Sequence, residues 1–285
     1  MPDAPNSSSP TSPTDSTGPE NSPRSTIPDS SPDPTASAPH APPPPPRGAG
    51  TLALRLAGIA GIAASVAWLI GDILLLGKPM GSADQYPILN AYDGMARDSL
   101  AAMLPASTTR LAWGALLGVL TGPLYLVACR HFRQALFPHP RRVSLPPYLM
   151  LTAGYALAPF AHGSFFYWGQ AAKAVHESGA GSDALTTLPG DLATVLFIPY
   201  AVLLALWVVG SVWMAVLVFR GGTALPRWTG MANPLFCTLI GALVTKLWPG
   251  AIGTALQGAA LSVANLLLFS LTTVVLWKKA GEESP

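Results

Sequence analysis

Six stretches of this chain are long and apolar enough to cross a hydrocarbon layer, and that alone leaves few folds open. A spanning helix needs about 20 mostly apolar residues. The stretches cover residues 52–76, 111–129, 147–171, 192–219, 229–248 and 251–277. In lipid, backbone polar groups must be satisfied within their own segment, so runs of this length fold as helices. Charged residues make up 11% of the 285 residues, against about 25% in an ordinary soluble domain. The expected fold is all-α: a six-helix transmembrane bundle over 51–279 with a short C-terminal tail, 280–285.

Residues 1–50 have a different character. They hold 15 of the 30 prolines together with 15 serines and threonines, and almost nothing that could form a core. Such a segment cannot offset its ordering entropy by burial, so a disordered tail is expected, with a polyproline II rod over Pro42–Pro46. No early apolar stretch follows a basic start, so no cleaved signal peptide is expected.

Basic residues orient the bundle. With the N-terminus inside, the cytoplasmic side collects Arg24, Arg47, Arg55, Arg130, Arg133, Arg141, Arg142, Arg220, Arg227, Lys278 and Lys279. The other side receives Lys78, Arg97, Arg110, Lys173 and Lys246. The excess predicts a cell-membrane protein with both termini cytoplasmic. Cys129 and Cys237 then fall in the cytoplasmic half, where no structural disulfide is expected.

Gly114, Gly118 and Gly122 recur every fourth residue of the second span and stack on one face. Small residues in that pattern let a neighbouring backbone approach closely, so they predict a packing seam. The longest loop, 78–109, repeats Ile88, Leu89, Tyr92, Met95, Ala96, Leu100, Met103 and Leu104 at helical spacing. That pattern reads as an amphipathic helix on the membrane surface, or as a lid over a site below it.

The string "LIGDILLLG" (69–77) puts Asp72 inside the first span, where a charge at the bilayer centre costs about 2.5–3.5 kcal/mol. Asp72 falls in the outer third, so it escapes part of that cost, yet three leucines follow it and a partner is expected. His162, roughly 22 Å along the third span by helical rise, is the first candidate and Lys246 the second. An Asp–His pair can relay a proton, bind a ligand or tie two helices. The candidate ligand set is Asp72, His162, Tyr155, Gln170, Lys246 and Gln257, with Asn233 and Asn265 as further polar groups. Ser164 lies two residues from His162 and points elsewhere on the helix. His131, flanked by Arg130 and Arg133, reads as part of a contact with anionic lipid.

Phosphate-binding glycine loops, HExxH, paired CxxC and G-x-S-x-G are all absent from the sequence. No metal, cofactor or nucleic-acid partner is therefore expected, no catalytic residue is assigned, and oligomeric state is left open. Taken in order, "GDILLLG" (71–77), "STTRLAWGAL" (107–116), "GPLYL" (122–126), "PFAHGSFFY" (159–167), "NP" (233–234) and "GAALSVANLLLF" (258–269) resemble an uncharacterised family of bacterial multi-pass membrane proteins, a domain of unknown function. The resemblance implies a bacterial cytoplasmic-membrane protein and carries no catalytic role. The leading expectation is binding or movement of a lipid or small apolar molecule in a cavity of the outer half. A membrane-embedded enzyme using His162 with Asp72, and a structural or assembly role, are the alternatives.

Overall fold

Small side chains of the first apolar run gather on one side when it coils. The computed structural model describes residues 47–77, 79–179, 183–247, 253, 256 and 258–282, with the backbone alone at 47–49, 183–186, 244–246 and 279–282. The N-terminal tail through Pro46, Lys78, the Trp248-Pro249-Gly250 stretch and Gln257 lie outside these residues. Helix α1 (Arg47–Leu76) buries Ala57, Gly58, Gly61, Ala64 and Ser65, while Leu52, Leu56, Ile59 and Ile70 face outward. Before Trp68, large apolar groups outside and small ones inside reverse the pattern of a water-soluble helix. Close backbone approach is how helices associate in lipid.

The remaining helices are α2 (Gly94–Met103), α3 (Thr108–Ala128), α4 (Arg130–Ala135), α5 (Arg141–Ser178), α6 (Asp183–Arg220), α7 (Pro234–Leu247) and α8 (Ala260–Glu282). Two 3-10 turns occupy Pro87–Ala91 and Arg227–Ala232, and there is no strand among the described residues. Neighbours run α6–α5–α3–α1–α8–α7, whereas α6 and α7 meet in few places. That seam is where the ring of neighbours is weakest.

Among the described residues, four stretches are long and apolar enough to cross a membrane: Gly50–Leu76, Thr108–Ala135, Thr187–Arg220 and Ala260–Lys278. Four is fewer than the six read from the sequence. Helix α5 has the length, at 38 residues, but it does not reach the apolar standard met by the other four. Helix α7 begins at Pro234 rather than at 229, because Asn233 stops the chain there. The Asn233 side chain accepts from Leu235 N at 2.9 Å and donates to the Ser211 carbonyl at 2.7 Å. Asparagine before a proline at the first helical position is a strong helix start.

Helix ends elsewhere are closed by named groups. Arg110 donates from Nε to the Leu74 carbonyl at 2.8 Å and from Nη2 to the Ile73 carbonyl at 2.6 Å, satisfying the exposed end of α1. Ser107 caps α3, its hydroxyl accepting from Arg110 N at 3.3 Å. Ser107→Ala is expected to lower stability by about 1 kcal/mol. A detergent melting curve checks this, and Ser107→Asp should recover most of the loss.

The loop after α1 is not a free surface helix, which corrects one expectation. Leu100, Met103 and Leu104 are buried in a cluster with Trp168 and Phe165 of α5. Tyr92 stands edge-on to Trp168 with ring centres 5.8 Å apart, and Tyr86 contacts the His176 ring at 4.8 Å. Lys173 donates to the Ala106 carbonyl, and Thr108 donates to Gln170 Oε1 at 3.0 Å. The apolar face of this segment is thus spent on protein rather than on lipid. His131 also departs from its expected role: its ring is 1% exposed and faces the Leu54 carbonyl at 2.8 Å and Thr272 Oγ1 at 3.4 Å. It ties α4 to α1 and α8. Cys129 and Cys237 are free.

Candidate functional site

The glycine stripe of α3 is a row of sockets. A Cβ at Gly114 would press on Leu75 of α1 at 2.8 Å and on the Gly71 carbonyl at 3.0 Å. A Cβ at Gly118 would overlap the His162 imidazole, and one at Gly122 would overlap the Pro159 ring. The missing side chains let α1 and α5 close onto α3 and seat the imidazole between them.

Seated there, His162 is 5% exposed. Nε2 faces the Gly114 carbonyl at 3.0 Å, and a carbonyl can only accept, so Nε2 carries hydrogen. Nδ1 faces Asp72 Oδ1 at 3.6 Å. With Nε2–H fixed, an attractive Nδ1–Asp72 contact needs one more proton between the two groups. Ser262 of α8 donates to the other carboxylate oxygen of Asp72 at 2.6 Å. The Trp68 ring covers the imidazole with centres 4.7 Å apart.

One turn along α8 from Ser262, Asn265 accepts from the Tyr155 hydroxyl at 2.7 Å. Tyr155 stacks on Tyr125, which donates to Ser65 at 3.2 Å. These polar side chains and the surrounding rings enclose a cavity of about 90 Å³. That is room for several water molecules, or for one small group of a larger ligand. The Asp72 side chain is 15% exposed, against 6% for His162, so Asp72 is the more exposed of the pair.

A second, larger space adjoins it. A groove of about 580 Å³ runs between α6, α7, α2 and the start of α8, and shares Leu76, Phe165, Tyr200, Trp207, Gly258 and Leu261 with the first cavity. Met95, Asp98, Ser99 and Ala102 of α2 also line it. The groove follows the weak α6–α7 seam, so its outer wall is where surrounding lipid would lie.

Of the candidate residues, Asp72, His162 and Tyr155 line one cavity. Gln170 lies apart from it, tying α5 to the start of α3. Lys246 is described only by its backbone, and Gln257 lies outside the described residues. Ser262, Tyr200, Trp68 and Trp207 belong to the cavity and were not singled out from sequence. Ser262 carried one signal: it precedes Asn265 by three residues, which puts both on one helix face. No cluster of three metal-ligating side chains occurs among the described residues.

Apolar helices with outward-facing large side chains, closed around a carboxylate, define a helical membrane protein with an internal cavity. The chain belongs to the family described as "Family of unknown function (DUF6796)", whose model matches residues 51–279. No curated protein and no solved structure matches it.

Proposed function

We propose that this is a six-span protein of the bacterial cell membrane, with both termini cytoplasmic, that binds or moves a lipid or small apolar molecule. Helices α5 and α7 supply the two further spans, since they pack among the four most apolar stretches. An even count returns the chain to its starting side, and the eleven-to-five division of basic residues favours that side as cytoplasmic. The observation that carries the reading is that the 580 Å³ groove adjoins the Asp72 cavity, with six lining residues common to both. An apolar body fits the first and a small polar end the second, as in ligand sites lined by apolar walls with few polar groups. Helix α2 serves as the cover of the groove.

The enzymatic reading draws less support. Both ring nitrogens of His162 face protein groups, so neither is presented to a substrate. A purely structural role accounts for the glycine seam but not for a carboxylate in a cavity.

Native mass spectrometry with lipid extraction on gently purified protein tests the proposal, comparing wild type with Asp72→Asn. A defined molecule retained by wild type and lost from the variant is expected. The same bulk lipids on both would move the structural reading ahead.

A further inference from the structure

Six aromatic side chains, Trp68, Tyr125, Tyr155, Phe165, Tyr200 and Trp207, line the small cavity around the Asp72 carboxylate. Rings present their negative faces to a positive charge, and walls of this kind recognise alkylammonium groups. Charge in the groove has the same sign: Asp98 lines it, and no lysine or arginine lines groove or cavity among the described residues. Carboxylates lining a low-dielectric cleft raise the local concentration of a cation. A phosphate or carboxylate end would instead meet Asp72 with like charge. A plain hydroxyl could donate to Asp72 but would draw little from the rings.

We propose that the ligand is an amphipathic organic cation, with its ammonium against Asp72 inside the aromatic wall and its apolar body in the groove, and that its entry displaces the proton held between Asp72 and His162. This rests on the binding role proposed above. The exchange balances: one positive charge enters, the proton between Nδ1 and Oδ1 leaves through the groove, and the carboxylate that remains pairs with the ammonium. His162 keeps its Nε2–H on the Gly114 carbonyl throughout. The other groups around Asp72 leave its charge to this pair. Helix α5 presents His162 and Tyr155, α6 presents Tyr200, α8 presents Ser262 and Asn265, and α3 presents Tyr125. Arg110 of α3 is engaged on the Leu74 and Ile73 carbonyls.

Hexyltrimethylammonium, hexyl phosphate and hexanol are suitable probes, because they share one body and differ in the charge of the end. Binding to the full chain in neutral maltoside micelles is measured by calorimetry, and proton release by a pH indicator. The cation is expected to bind with release of one proton and with affinity rising up to about tenfold per pH unit, as reciprocal linkage demands. Asp72→Asn should weaken it at least tenfold and abolish the release. Trp207→Leu, away from the ion pair, should weaken the cation by about 2- to 30-fold more than it weakens hexanol. Hexanol or hexyl phosphate binding as well as the cation, with the same sensitivity to Asp72→Asn, would overturn the cation assignment and leave the pocket intact as a binding site. Failure of all three probes, together with identical lipids on wild type and Asp72→Asn, would remove both proposals.

Discussion

Gly118→Ala is expected to lose about 2–3 kcal/mol of stability from a single added methyl group. In most helices the change is favourable, since alanine is about 1 kcal/mol better than glycine. Here the methyl would overlap the His162 ring, whose Cδ2 and Cγ are its nearest neighbours. The ring cannot easily retreat. It is held by the Gly114 carbonyl at 3.0 Å, by Asp72 at 3.6 Å and by the Trp68 ring at 4.7 Å. Overpacking a close-packed site costs about 1–3 kcal/mol, and turning the imidazole away would also give up its hydrogen bond. Gly190→Ala is the control, because nothing lies within 4 Å of the methyl it would add to α6. That variant should be neutral or gain up to about 1 kcal/mol. Melting both in the same detergent checks the contrast. Equal effects at the two sites would show that Gly118 does not hold the ring.

That contrast also marks how far the sequence could be read. Three glycines at four-residue spacing announce a close approach, and the structure puts α1, His162 and Pro159 against them. The stripe could not say that one of its neighbours is an imidazole. Asp72 and His162 were linked by depth alone, each being a known number of turns from a helix end. Depth fixes position along an axis, but rotation about that axis is invisible, and rotation decides whether two side chains touch. Tyr200 and Trp207 stayed hidden for the same reason: α6 is apolar on every side, so no periodicity marks the face turned to the cavity.

The loop before α3 and His131 show the opposite limit. Helical spacing of Leu89, Leu100, Met103 and Leu104 demands an apolar partner without naming it. Lipid was the default, and Trp168 of α5 is the partner instead. His131 was read by the charges of Arg130 and Arg133. A helix turns about 100° per residue, so adjacent positions face different surroundings, and the imidazole points into the bundle. Helix α7 was overextended because 229–233 is apolar enough to continue a span. The Asn233 cap and Pro234 decide otherwise, and they were visible in the sequence as "NP".

His162→Ala is expected to cost about 3–5 kcal/mol, while Asp72→Asn costs under about 1, although both break the same pair. Removing the imidazole leaves a cavity and a buried carboxylate that has lost one of its two partners, and the Gly114 carbonyl loses its second donor. One-sided loss of a buried ion pair has that magnitude. The asparagine change differs because an amide matches both neighbours. Its oxygen can accept from Ser262, as the carboxylate does at 2.6 Å, and its NH₂ can donate to the Nδ1 lone pair. No proton need then be shared. The double variant should therefore be more stable than the sum of the singles implies, by about 1–3 kcal/mol, since the carboxylate stranded by His162→Ala is gone. Unfolding in graded denaturing detergent measures all four corners of the cycle. A coupling near zero would mean that the two groups do not interact. Strong destabilisation by Asp72→Asn alone would mean that the charge itself holds the helices together. The expected asymmetry makes Asp72→Asn a variant whose loss of ligand can be read as loss of binding rather than of fold.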